Sequence, residues 1–464
     1  MKSAQLHSRY NPQAEAARYI DSLNLKDDIQ CFILIEPGQG YLISALRERF
    51  KESVIISLHV EDQGESLTQA DYSLTGGEPL EIQKFLEAHI QHNAEHIKII
   101  EWRPSLNHYR QAYVKILSEA AQFLKRADAG RRTTAAFGRR WVKNFFRNLK
   151  NVNTSLLYKQ SSIPVIVTGS GPGLEEAIPI IKKAEDACLI IASSSSLLAL
   201  HASGIKADIV IATDGGSWAL KHLYPFYRSD SGKILAVNLC AALPSQTTQA
   251  AQLLINDGSF WQSVILHELS LPSVIIGQRG TVTATAAELA LILSSANIYL
   301  AGMDLAVQDI RTHARPYSFD ALFFEKANRI TPFYSQSYTR SSLLDRGGSL
   351  DIYASWFKSQ KTTWQDRIFS IGANSVFEED ASMHDNITNK KAQNKNDYFK
   401  LVKNDTEADN FCKRGKEALL SAMNNPEYSK NIKNELGSLL FSGEIDVKDR
   451  DLQDAVEQIA GKYS

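Results

Sequence analysis

The sequence predicts an α/β protein with a Rossmann-like central domain on a parallel sheet, a small N-terminal α/β domain and a helical C-terminal region. Short, continuous Val- and Ile-rich runs recur through the middle as VIVTG, CLIIAS, DIVIATD, KILAVN, SVILHE, SVIIG and NIYLAGMD. Such runs fit strands covered on both faces. Helical or turn segments separate most of them, which is the alternation of a doubly wound sheet. The 464 residues exceed one ordinary core, so several structural units are expected.

Composition bounds the function. Hydrophobic residues make up 44% of the chain, charged residues 22%, and the formal net charge is -1, as in a soluble globular protein with no global field. Neither nucleic acid nor an anionic membrane is therefore expected as a partner. Cys31, Cys188, Cys240 and Cys412 are far apart and form no C-x-x-C pair, so a disulfide framework or thiolate zinc site is not expected. The first residues, MKSAQLHSRYNPQAEA, lack the apolar run of a signal peptide, and no segment holds eighteen uninterrupted apolar residues. A cytoplasmic protein is the expectation; the oligomeric state is left open.

Four regions follow in order. Residues 1–115 form the N-terminal α/β domain: a polar helical lead-in over 1–28, a strand in CFILI, a turn from Glu36 to Gly40, a helix with Leu42, Ala45 and Leu46 on one face, and a second strand in SVIISLHVED. The turn E-P-G-Q-G resembles a worn methyl-donor loop, read here as a remnant that shapes the domain. Residues 116–155 are a helical bridge whose basic run, Arg131 to Lys150, is interleaved with Trp141, Phe145 and Phe146. An amphipathic helix with a solvated basic face explains that run better than nucleic-acid contact. Residues 156–378 are the central Rossmann-like domain and residues 379–464 the helical C-terminal region, with a polar stretch from Asp385 to Asp409.

The stretch VIVTGSGPGLEE is the first candidate site. A strand delivers the chain to Gly169, Ser170 and Gly171, with Pro172 near the first turn of a helix from about Gly173 to Ala184. A glycine-rich turn feeding a helix N-terminus leaves free N–H groups and the positive end of a dipole, which suits a phosphate. A dinucleotide fingerprint would want a glycine at Leu174, and the mononucleotide loop would want a lysine that is missing. The stretch by itself fits a phosphate site and a ligand-free turn equally. Other strand ends carry Ser193 to Ser196, then Thr213, Asp214, Gly215 and Gly216, and finally Gly302 and Asp304, which together describe a polar crevice at the carboxyl edge of the sheet. Asp304 and Asp214 are suited to hydroxyl groups or Mg²⁺, or to capping a following helix.

These residues carry a resemblance. GSGPGLEEAIPIIKKAEDACLIIASSSSLLALHASGIKADIVIATD resembles the central domain of the motility-associated factor (Maf) proteins, a flagellin glycosylation family whose loop usually reads G-x-G-P-S-L. GTVTATAAELALILSSANIYLAGMDLAVQDIRTHA matches that family's threonine-rich helix start, strand, G-x-D-L-A and T-H-A. LDIYASWF with RIFSIGAN, and RRWVKNFFRNL, are weaker matches. The domain is also similar to bacterial sialyltransferases that use CMP-sialic acid. The resemblance implies transfer of a nonulosonic acid of the pseudaminic or legionaminic type from a CMP-sugar to Ser or Thr of flagellin. Carried over residue by residue, Gly169, Ser170, Gly171, Pro172 and Gly173 face the nucleotide, Ser194 or Ser195 the donor sugar or cytidine, and Thr281 and Thr283 the donor carboxylate or phosphate. Gly302 and Asp304 occupy the I-Y-L-x-G-x-D segment, and Tyr317 the Y-x-F-D segment that holds the leaving phosphate.

The departures concern chemistry. Ser170 and Gly173 replace an asparagine and a serine, and Ala306 stands where a second tyrosine would be. The only histidine after the Y-x-F-D segment is His384, in the polar stretch, so His313 is the substitute general base. His313 alternatively reads as a surface loop residue, Tyr317 as a packing ring, and Arg311 and Arg315 as either anion ligands or exposed loop cations. Two further readings stay open: an ATP- and Mg²⁺-dependent hydroxymethylpterin diphosphokinase-like enzyme, and a non-catalytic flagellin escort.

Overall fold

The computed structural model describes residues 6–61, 70–90, 96–152, 154–227, 234–244, 250–308, 310–345, 349–360, 363–364, 367–372, 377–379, 387, 394–403, 409–441 and 447–463. The chain divides into two compact units, residues 1–133 and 134–464.

In the first unit the apolar runs become β1 (Cys31–Ile35), β2 (Val54–His59), β3 (Tyr72–Thr75) and β4 (Ile97–Glu101), all parallel in the order β3-β2-β1-β4. Period-two alternation gives β1 two buried faces. Phe32 and Leu34 join Ile20 of α1 (Pro12–Ser22) and Leu42 and Leu46 of α2 (Tyr41–Arg49). Cys31, Ile33 and Ile35 join Ile82 and Leu86 of α3 (Pro79–His89). A short α4 (Arg103–His108) leads into α5 (Arg110–Leu149), a 40-residue helix that carries the chain into the second unit.

The second unit is built on a ten-stranded sheet. Its elements are β5 (Thr154–Tyr158), β6 (Val165–Thr168), α6 (Leu174–Ala184), β7 (Leu189–Ser193), α7 (Leu197–Ala202), β8 (Ile209–Ala212), α8 (Leu220–Tyr227), β9 (Ile234–Asn238), β10 (Ala251–Asn256), α9 (Phe260–Glu268) and β11 (Ser273–Ile275). Then follow α10 (Val282–Leu293), β12 (Ile298–Ala301), α11 (Asp320–Lys326), α12 (Phe333–Asp345), α13 (Ser349–Gln360), β13 (Ile368–Ile371), β14 (Phe399–Lys403), α14 (Asp409–Met423), α15 (Ser429–Leu440) and α16 (Asp449–Ala460). Among the described residues the strand order is β13-β12-β6-β7-β8-β9-β10-β5-β14, with β11 beside β10, and only β14 runs antiparallel. Ile166, Ile190 and Val210 face one apolar layer, which the C-terminal helices complete with Phe411, Leu436 and Val456. Val167, Ile191 and Ile211 face the other, against Ala286 and Leu289 of α10.

The predicted α/β class is the one found, and the structure changes three local readings. SVILHE is part of helix α9, because FWQSVILHE as a whole sets Trp261, Gln262, Ile265 and Leu266 on one buried side, a helical spacing that the six-residue run cannot display. The strand in that region is AQLLIN, β10. The region after 379 is not wholly helical: β14 pairs with β5 from Phe399↔Tyr158 to Lys403↔Thr154.

The order places the site. Chain progress from β6 through β7 to β10 runs one way, whereas β12 and β13 lie on the other side of β6. The switch point of the sheet is therefore between β6 and β12, where ligands of open α/β sheets bind beyond the carboxyl ends.

Candidate functional site at the β6/β12 switch point

The loop after β6 and the loop after β12 cross in close contact. Gly171 N–H donates to the Gly302 carbonyl at 2.7 Å and Gly169 N–H to Ala301 at 2.8 Å. A side chain at Gly169 would bring its Cβ to 2.5 Å from the Gly302 carbonyl oxygen and 3.2 Å from Thr283 Oγ1, so only glycine permits this crossing. Gly302 itself has φ +64°, a region that disfavours side chains.

The three glycine amides of this corner, those of Gly169, Gly171 and Gly173, all donate within the chain. Gly173 N–H, at the mouth of α6, points at the Asp304 carboxylate, 3.0 Å from Oδ1 and 3.1 Å from Oδ2. A Cβ on Gly171 would overlap that same carboxylate. Asp304 thus fills the place where a phosphate was expected, acting as an anion supplied by the chain to the helix dipole. Burial holds its pKa above the ordinary aspartate value, against the Gly173 amide, which lowers it. Pro172 precedes the cap and accepts Glu175 N–H at 3.1 Å.

The first turn of α6 anchors the next segment. Glu175 takes Arg311 Nη1 at 3.0 and 3.1 Å and the Arg315 amide at 2.9 Å, and the Ser170 carbonyl accepts Ala314 N–H at 2.9 Å. Arg311 is therefore engaged by a carboxylate of its own chain, while the two bonds to Glu175 and Ser170 fix the loop that bears His313. His313 stacks on Tyr317 with ring centroids 4.1 Å apart and planes at 13°. Thr312 Oγ1 lies 2.8 Å from His313 Nδ1, which leaves Nε2 as the outward nitrogen. Together with Arg315, Asp320 and Arg340 they line a cavity of about 20 Å³, enough for one water.

Among the described residues, neither His313 Nε2 nor the Tyr317 hydroxyl has a hydrogen-bond partner, and neither Arg315 nor Arg340 meets a carboxylate. The two guanidinium groups rest on rings instead, Arg315 over Phe333 at 5.2 Å and Arg340 over Phe323 at 4.0 Å. Burial, then Arg340 and His222, push the His313 pKa down to about 4, so the imidazole is neutral at pH 7. Burial raises Tyr317 to about 12 against the lowering effect of Arg340, so its phenol keeps the proton. The arrangement offers one neutral base, one phenol donor and two cations in one place.

The remaining predicted residues lie around this centre. Thr283 abuts Gly169, whereas Thr281 caps α10 by accepting Ala284 N–H at 3.0 Å. Ser194 and Ser195 follow β7, but the serine that reaches the β6 strand is Ser196, 2.8 Å from Thr168 Oγ1. Asp214 is exposed after β8, where Oδ1 accepts Gly216 N–H at 2.7 Å. No group of three His, Cys, Asp or Glu side chains able to hold a metal occurs among the described residues. His384 lies outside the described residues. In the first unit, a side chain on Gly38 would meet His7 Nε2 at 2.7 Å, so the E-P-G-Q-G turn is covered by its own chain.

Two contributors were not visible in the sequence. His222 of α8 lies 5.4 Å from Tyr317 between ring centroids, and burial pushes its pKa down to about 4, against Asp214, which raises it. Arg340 sits in the polar helix α12. Neither stands in a motif; each reads as an ordinary helix-surface residue.

The two neutral imidazoles make the fold acid-sensitive. Below the unfolded value near 6.5, the unfolded chain binds protons that the folded chain refuses until about pH 4, so stability is full above pH 6.5 and falls as the pH drops. A loss on the order of 2 kcal/mol per imidazole is expected at about pH 5. Urea midpoints across this range check it, and His222→Asn should flatten the slope by half.

The switch-point crevice, with an imidazole, a phenol and two guanidinium groups at the carboxyl edge of a parallel sheet, sits in a Rossmann-like fold. Comparison gives that class its neighbours. Residues 139–309 match the family described as 6-hydroxymethylpterin diphosphokinase MptE-like. The structure of MAf glycosyltransferase from Magnetospirillum magneticum AMB-1 superposes with a TM-score of 0.50 over 94% of this chain and 73% of that one, at 13% identity, a likeness of fold. An uncharacterized protein of Treponema pallidum (strain Nichols) is 28% identical over 262 residues, and the match spans 56% of each chain. No helix among the described residues is long and apolar enough to cross a membrane.

Proposed function

We propose that the protein is a glycosyltransferase that moves a nonulosonic acid of the pseudaminic or legionaminic type from its CMP-activated form to a serine or threonine hydroxyl of flagellin, serving filament assembly and motility. The observation that carries this reading is the convergence of unpartnered His313 Nε2, the Tyr317 hydroxyl, Arg315 and Arg340 on one cavity beside the switch point. In a direct displacement, His313 takes the acceptor proton as its oxygen bonds to the anomeric carbon. The bond from that carbon to the phosphate oxygen breaks, and CMP leaves with its charge met by Tyr317 and the two guanidinium groups. Seating the donor requires α11 and α12 to move, because the cavity as it stands has room for one water; α11 buries none of its residues, so little opposes the motion.

The Maf-type fold supports the reading, and the MptE-like match supports a second one, an ATP- and Mg²⁺-dependent diphosphoryl transfer. Incubation of the purified protein with CMP-pseudaminic or CMP-legionaminic acid and unmodified flagellin should add the sugar's mass to flagellin and release CMP. Saturable binding of ATP alone would favour diphosphoryl transfer. Binding of flagellin without any nucleotide would favour an escort.

A further inference from the structure

A second cavity, of about 180 Å³, opens at the same carboxyl edge beyond β9 and β10, well along the sheet from the switch point. At ~30 Å³ per liquid water it has room for on the order of six waters, the scale of a single small ring. Trp141 of α5 and Trp261 of α9 form its apolar walls, and polar groups of α9, α15 and the loops after β10 and β11 complete it.

The polar groups are fixed in advance. Asp257 Oδ1 accepts the Ser259 amide at 3.0 Å and hydroxyl at 2.6 Å, while Oδ2 accepts Gln262 Nε2 and Gln278 Nε2, each at 2.9 Å. Gln262, 1% exposed, is in turn held through its Oε1 by Asn238 Nδ2 at 3.3 Å. Glu435 caps α9, one oxygen taking the Phe260 amide at 3.0 Å and the other the Trp261 amide at 3.1 Å, so each oxygen keeps a free lone pair. Trp261 is 1% exposed, yet its indole N–H has no acceptor among the described residues, and nor does that of Trp141.

These facts select a ligand class by elimination. An anion is disfavoured, because two carboxylates and, among the described residues, no lysine, arginine or histidine line the cavity. An ammonium group suits the carboxylates and rings but cannot accept from an indole N–H. Hydroxyl groups do both, and the C–H faces of a sugar ring suit indole walls. We propose that this cavity binds an uncharged hydroxyl-bearing ring of hexose type, at a site separate from the His313–Tyr317 centre. The proposal does not depend on which transfer reaction, if any, that centre performs.

The test is a titration of the full chain, followed by tryptophan fluorescence and saturation-transfer NMR, with glucose, galactose and N-acetylglucosamine as neutral probes. Glucosamine and N-acetylneuraminic acid serve as the cationic and anionic probes. Saturable millimolar binding of a neutral sugar is expected, at least about tenfold tighter than either charged probe. Trp141→Phe, which keeps the ring and loses the donor, should weaken it about five- to tenfold, and Gln278→Ala, at an exposed position, should weaken it with unchanged melting. No saturable response to any neutral sugar, an equal response in Trp141→Phe, or preference for a charged probe overturns the proposal.

Discussion

Arg340→Ala is expected to weaken binding of a CMP-sugar by about 10- to 100-fold, the effect of removing one charge-assisted bond of about 1.5–3 kcal/mol. Among the described residues Arg340 has no carboxylate partner; it lies on the Phe323 ring and lines the cavity of Tyr317 and His313. Its charge also lowers the pKa of both neighbours, so the variant makes a second, independent statement. The acidic limb of transfer activity should stand near pH 4 in the wild type and move upward in Arg340→Ala, because the imidazole is more easily protonated without the guanidinium. A residue that merely props up α12 would reduce activity without moving that limb. Arg340→Lys should restore the limb better than the affinity, since an ammonium supplies charge without the planar fork.

Gly171→Ala carries the largest expected cost in stability. The added Cβ overlaps the Asp304 carboxylate and lies 2.8 Å from the Gly302 carbonyl oxygen, in a loop crossing with no slack. Relief requires Asp304 to swing away from Gly173, so steric strain and a lost helix cap combine to about 2–4 kcal/mol. The measurement is the denaturant midpoint of the second unit's transition. Coupling makes the case specific: in Gly171→Ala/Asp304→Ala the clash with the carboxylate is gone, so the double variant should lose clearly less than the sum of the single losses. Simple additivity would mean the two residues do not meet.

The residues made the frame legible because the signal was local. VIVTG, CLIIAS, DIVIATD and NIYLAGMD are short apolar runs buried on both faces, and each forms a strand of the central sheet. SVILHE failed because a six-residue apolar window has no period of its own; the helix shows only when Phe260, Trp261 and Gln262 are read with it. The strand Phe399–Lys403 was hidden because its partner, β5, lies more than two hundred residues earlier, and pairing over that distance leaves no local trace.

The site divides in the same way. Gly169, Gly171 and Gly302 announced a close approach of two loops, and that is what they provide. What the motif could not tell was which anion the helix mouth receives, because Asp304 is 131 positions from Gly173 and reaches it only through the β6/β12 pairing. His222 and Arg340 come to Tyr317 from separate helices, so their place in the cluster is a property of the tertiary structure alone.

The central claim is that the leaving nucleotide's charge is met by side chains at the Tyr317 cavity, and that the Gly173 amide at the mouth of α6 is already satisfied by Asp304. Calorimetric titration of CMP into the wild type, Arg340→Ala and Asp304→Ala tests this directly. The account predicts that Arg340→Ala loses about tenfold or more in affinity while Asp304→Ala stays within about threefold of the wild type. An undiminished affinity in Arg340→Ala, together with tighter binding once Asp304 vacates the Gly173 amide, would contradict it.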